Sequence, residues 1–192
     1  MSIIDIYMRN YLKLFKRNAG FTLIELLVVI GILGILAAAL IATIDPFEQL
    51  NKAQDANVKN TVVEYINANI RYFTTHQAMP WADAAVAAPC NAGVGGAPSG
   101  TLLTSAQMTA CTVALISDSE LKASFSTATN ILGKIYVTAG ANNAVIGCFA
   151  PVSKSQQKDL NTKYTSTGGL VPSPTTNCLG YGGATTCYWC TQ

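Results

Sequence analysis

Residues 21–44 hold 24 positions, of which only Thr22, Glu25 and Thr43 are polar. There is no polar face at any periodicity, and residues 26–44 give 19 consecutive uncharged positions. As a helix those 19 would span roughly 28 Å, about the hydrocarbon thickness of a bilayer. Asp45-Pro46-Phe47-Glu48 then carries helix-start signals: an Asp N-cap, Pro at the first helical position and Glu three past the cap. Pro46 lacks an amide hydrogen, so a helix running through it must bend near residues 43–46. From Leu50 polar residues return, and Val58, Val62, Tyr65, Ile66, Ile70 and Phe73 recur at helical spacing. This stripe predicts the line along which the helix rests on its own domain. The pattern therefore predicts a membrane half over 21–44 and an amphipathic half over 45–75, kinked at Pro46 and roughly 80 Å long in all. No domain of about 100 residues buries a rod of that length, so its first half must be covered by lipid or by copies of itself.

Residues 76–192 predict a small head. Residues 105–116 have helical spacing after a Thr/Ser start, and 118–125 read as a second short helix. Residues 131–138 and 143–152 read as strands joined by a turn at 140–142, and 185–191 as a last strand. The stretch 92–100 (AGVGGAPSG) reads as a surface loop, 153–164 as a loop or helical turn, and 165–183 as a Gly/Pro/Thr-rich loop. The expected class is α+β, a long helix packed on a small antiparallel sheet.

Charge changes this picture in two places. Residues 1–20 carry Arg9, Lys13, Lys16 and Arg17 against Asp5, while the remaining 172 residues carry 8 basic and 9 acidic side chains. Basic residues ahead of an apolar helix predict that the head lies outside the cytoplasm. A head with net charge −1 and no basic stripe does not read as a nucleic-acid binder. The second place is Glu25, whose carboxylate costs about 2.5–3.5 kcal/mol at the middle of a membrane helix and less near its edge. Such a residue calls for a partner. A cut between Gly20 and Phe21 would create one, a new α-amine four residues away.

Gly20-Phe21-Thr22-Leu23-Ile24-Glu25-Leu26-Leu27-Val28-Val29-Ile30, behind a short basic leader, resembles the prepilin cleavage and methylation motif of type IV pilins and type II secretion pseudopilins. The resemblance covers about residues 13–75 and is most specific over its first dozen positions. It implies a type IV pilin-like fold, with the long kinked N-terminal helix packed on a disulfide-stapled sheet head over 76–192. It implies that 1–20 is a cleaved leader, that Gly20 precedes the cut, that Phe21 is the N-methylated mature terminus, and that Glu25 meets a neighbour's N-terminus during assembly. Implied partners are other copies in a helical filament, other pilins, a membrane aspartic prepilin peptidase and N-methyltransferase, a polytopic platform protein and an assembly ATPase. The chain itself has no nucleotide motif. The implied location is the cell membrane, single-pass with the head outside, and an extracellular filament after assembly. A pseudopilin or minor pilin of a type II secretion or DNA-uptake system is the alternative within the family, and a membrane-anchored extracellular binding module the alternative outside it. Gly31, Gly34, Ala37, Ala38 and Ala39 would let such helices approach closely.

Six cysteines, Cys90, Cys111, Cys148, Cys178, Cys187 and Cys190, all follow the apolar segment. An even count in an exported, loop-rich domain predicts disulfides. Cys90 with Cys111 would close the glycine-rich loop, and Cys148 with one of the last three would tie the C-terminal region to the sheet. Cys187-Tyr188-Trp189-Cys190 has redox spacing but no following helix to lower a thiol pKa. Cys178, Cys187, Cys190 and His76 lack the paired spacing of a zinc ribbon. His76 reads as a solvated residue near a helix end, and Asp45, Asp55 and Glu64 as a solvated helix face. No metal, cofactor or catalytic activity is expected.

Overall fold

The computed structural model describes residues 20–43, 45–91 and 96–191. The leader expected over 1–20 lies outside them except for Gly20, as do Ile44 and positions 92–95 of the glycine-rich loop. The chain divides between Asp45 and Pro46 into two units.

The first unit contains helix α1, Leu23–Thr43. None of the side chains described over 20–41 is buried. The second unit opens with helix α2, Pro46–His76. Where the pattern predicts one helix bent at Pro46, α1 ends at Thr43 and α2 begins at Pro46. Proline has no N–H for a helix to use and its fixed φ suits a first turn, so it starts α2.

The buried residues of α2 are Asp55, Val58, Val62, Tyr65, Ala68, Asn69 and Tyr72. They recur every three or four residues and form a single face toward the head. Ile66 and Phe73 flank it half-buried. Ile70 does not join it: one residue past Asn69 it is turned by about 100° and is exposed.

The sheet has five strands, β1 (Thr101–Leu102), β2 (Ile135–Ala139), β3 (Val145–Phe149), β4 (Thr162–Tyr164) and β5 (Tyr188–Cys190). Their order is β1-β2-β3-β5-β4 and every pairing is antiparallel. β2 and β3 form a hairpin whose turn carries Asn142 and Asn143 at φ 56° and 59°, the left-handed region that asparagine tolerates. Ile135, Val137, Phe149 and Trp189 belong to the same buried core as the α2 stripe. At its centre the helix lies against glycine: a Cβ on Gly147 would stand 2.5 Å from Val62 Cγ1. Gly147 thus lets Val62 close on the sheet.

Helix α3, Ala106–Ser117, is capped by Ser105, which accepts the Met108 amide. The helix expected over 118–125 is instead a 3₁₀ turn at Ala123–Thr127, followed by helix α4, Thr129–Leu132. Ser119 takes φ 63° and ends α3 before a second helix can continue it. The stretch 153–164 contains helix α5, Lys154–Gln157, and all of β4. The loop expected over 165–183 contains helix α6, Pro174–Asn177, and a 3₁₀ turn at Leu179–Tyr181.

Asp55 corrects the expectation of a solvated face. Its side chain is buried, and its carboxylate accepts the Val152 amide at 3.0 Å, the Ser153 amide at 2.8 Å and the Ser153 hydroxyl at 2.6 Å. Two turns of α2 earlier, Glu48 accepts the amides of Lys154 and Ser155, each at 3.1 Å. Two carboxylates seven residues apart thus take up the orphan N–H groups at the start of α5. The Lys154 amide above all, helped by the Ser155 amide and the Lys52 charge, holds the Glu48 carboxyl below the usual glutamate range despite opposing desolvation. A group with a depressed folded pKa contributes stability that is complete above its unfolded pKa and disappears as pH falls through the folded one. Hydrogen exchange at the Lys154 and Ser155 amides should therefore lose protection as pH drops below about 4, and Glu48→Gln should flatten that dependence.

Candidate functional site

Helix α1 begins with a reciprocal cap. The Thr22 amide donates to Glu25 Oε2 at 2.9 Å, the Thr22 hydroxyl donates to the same oxygen at 2.9 Å, and the Glu25 amide donates to Thr22 Oγ1 at 3.3 Å. This is the capping box, in which a residue at the cap and an acid three positions on satisfy each other's backbone donors. Sequence reasoning misses Thr22, although its S/T-x-x-E spacing to Glu25 is legible in the sequence. The cap turns the carboxylate back toward the N-terminal end of the helix, one residue from the Phe21 nitrogen. Phe21 is 82% exposed.

The glycines here are not explained by the chain's own packing. A Cβ at Gly20, Gly31 or Gly34 would meet nothing within 4 Å, and none of the three has a left-handed φ. A glycine inside a helix costs about 1 kcal/mol relative to alanine. Gly31 and Gly34 therefore carry a cost that no contact within the described residues offsets, and close approach of another helix is the use such positions serve in membranes. Over Leu23–Ile41 the helix is long and apolar enough to cross a membrane, and none of it is buried.

In the head the structure separates the cysteines that the redox motif brings together. The disulfides are Cys90–Cys111, Cys148–Cys190 and Cys178–Cys187. Cys148 and Cys190 face each other across the β3–β5 pairing, so their bridge staples directly opposed positions. Cys187 and Cys190 belong to different bridges, so there is no Cys187/Cys190 dithiol to cycle and no thiolate among Cys178, Cys187 and Cys190 for a metal. His76 ends α2, stacks on the Tyr72 ring at 4.0 Å between centroids, and places Nε2 3.3 Å from Asp118 Oδ2. Tyr72 donates its hydroxyl to Asp83 Oδ2 at 2.7 Å. The Ala85 amide first, then that hydroxyl, hold the Asp83 carboxyl below its ordinary range. This constellation joins the end of α2 to the loop that follows it.

The N-terminal geometry coincides with what comparison with known proteins finds. Residues 15–41 match the family model of the prokaryotic N-terminal methylation motif. Comparison with curated proteins and with solved structures finds no match. An exposed apolar helix, an acid folded back on its own start, and a disulfide-bonded head with a five-stranded antiparallel sheet accompany that motif: the chain carries the signature of the type IV pilins and pseudopilins.

Proposed function

We propose that the chain is a structural subunit of a type IV pilus-like filament, made as a prepilin, cleaved after Gly20 and N-methylated on Phe21. The single observation that carries this reading is the methylation motif over 15–41, with Glu25 held by Thr22 against the start of the apolar helix. Cleavage would place an ammonium on Phe21, beside the oxygen that the Thr22 amide now contacts. In one chain the pair helps the helix start, where a negative side chain is favoured. Between adjacent chains packed side by side in an apolar bundle, the same two groups fix how far one helix slides along the next. The membrane stores the subunit through α1, and the same surface then packs on other copies, closely where Gly31 and Gly34 leave room.

Mass spectrometry of the mature chain tests the reading. The expected mass is that of residues 21–192 with its disulfides and one added methyl group, the methyl mapping to Phe21. An intact Met1, or a cut beyond Ile44, would overturn it. A secretion pseudopilin or a minor pilin would share this processing and differ in abundance, since its chain would be scarce in sheared surface fibres.

A further inference from the structure

Two surfaces of the head have no role in the reading above. The first is a groove of about 490 Å³ between the end of α2, loop 85–88 and α3. Val86, Ala110, Val113 and Ala114 line it, and the His76–Asp118 pair closes one end. Val113 is 57% exposed in its wall. Helices α2 and α3 both end here, at His76 and Ser117, so the negative ends of two helix dipoles add to the Asp118 charge. The second surface, here called the knob, is an exposed apolar pair. Leu160 is 73% and Leu179 52% exposed, and the Tyr181 hydroxyl, donating to the Lys158 carbonyl, ties their two loops together. Lys158 is exposed beside Leu160 and enters no ion pair among the described residues, while Asp159 between them turns its carboxylate back to accept the Asn161 amide at 2.7 Å.

The two surfaces lie at opposite ends of α2. The knob adjoins α5, whose start is held by Glu48 and Asp55, whereas the groove is built on Tyr72 and His76. At 1.5 Å per residue the two sites are separated by roughly 30 Å along the helix. A groove and an exposed apolar pair at different places on one molecule make a heterologous contact, which repeats into a ring or an open helical polymer and does not close into a two-fold dimer.

We propose that the occupant of the groove is a second copy of this chain. Leu160 of one head seats among Val86, Ala110, Val113 and Ala114 of the next, with Lys158 against Asp118, and heads stack end to end along α2. This rests on the filament-subunit reading and adds to it a contact made by the heads, independent of α1.

The test is a charge exchange in the full chain expressed with its assembly machinery, scored as the share of chain in sheared surface filaments. Leu160→Glu sets an acid against an acidic groove, and Val113→Lys sets a base against Lys158. Each is expected to lower the filament share by at least about tenfold, because a like charge opposed across a contact disfavours the pairing. The double variant creates an attractive pair and is expected to return to within about threefold of the unmodified chain. Both side chains are exposed, and retention of all three disulfides in the membrane-held pool shows that the head has folded. Single variants that assemble normally, or a double variant no better than the worse single, overturn the head contact while leaving the filament reading intact. An unmodified chain that forms no filament overturns both.

Discussion

Glu25→Ala is expected to keep the chain in the membrane while removing it from filaments by roughly a hundredfold. On the proposed reading the carboxylate neutralises the Phe21 ammonium of a neighbour inside an apolar bundle. Removing one member of a buried ion pair strands the other, at a cost of about 3–5 kcal/mol. Each 1.4 kcal/mol is about a factor of ten, so the equilibrium moves by two decades or more. Membrane residence should move the other way, since alanine spares the helix the expense of a carboxylate near its lipid-facing start. The comparison to make is membrane-held against filament-held chain in one culture. Glu25→Gln separates charge from cap: its amide oxygen can still accept the Thr22 amide but cannot pair with an ammonium. Loss of assembly with both substitutions means that charge matters; normal assembly with Gln and loss with Ala would assign the role to the capping box. Normal incorporation of both would leave α1 as a plain anchor.

Asp55→Ala is expected to destabilise the head by about 2–4 kcal/mol, since a buried donor left unpaired costs about 1–3 kcal/mol. The aspartate takes up two amides and a hydroxyl where the chain leaves the sheet after β3. Alanine strands the Ser153 amide and hydroxyl, both buried, and frees the Val152 amide at their edge. Asp55→Asn should cost nearly as much, because the amide group offers one acceptor oxygen where three donors arrive. The check is chemical denaturation of the intact, oxidised chain in detergent, followed through Trp189 and Trp81, both in the core. Alanine at Glu64, exposed on the same helix, is the control and should change stability by less than about 0.5 kcal/mol.

The contrast between Asp55 and Glu64 shows how far the sequence could be read. Both are acids on one long helix, and composition treats them alike. Position did distinguish them: 55, 58, 62, 65, 69 and 72 form one unbroken stripe, and Asp55 and Asn69 are its polar members. A polar residue on a buried face signals a partner, but nothing local names Val152 and Ser153, nearly 100 positions away. The long apolar helix was legible because lipid imposes a length and forbids polar residues. The β2–β3 hairpin was legible because apolar residues flank a turn rich in Gly and Asn. Helix α3 was legible because Ser105 supplies a cap ahead of a periodic run. Strands β1 and β4 were not, since two or three residues carry no periodicity and owe their conformation to the neighbours they pair with. At the start of α1 the charge of Glu25 draws attention away from the cap, which Thr22 announces three places before the acid.

The division of Cys187 and Cys190 between two bridges has a further cost in oxidative folding. In an unfolded chain the sulfurs closest along the backbone meet most often, because short loops lose the least entropy on closing. Linking Cys187 to Cys190 would strand Cys148 and Cys178 and draw the three residues of β5 out of the middle of the sheet. Reaching the observed pairing from that trap requires attack by a free thiolate and exchange through a mixed disulfide. The yield of correctly paired heads is thus limited by how fast a mispaired bridge reshuffles as well as by the rate at which chains are made.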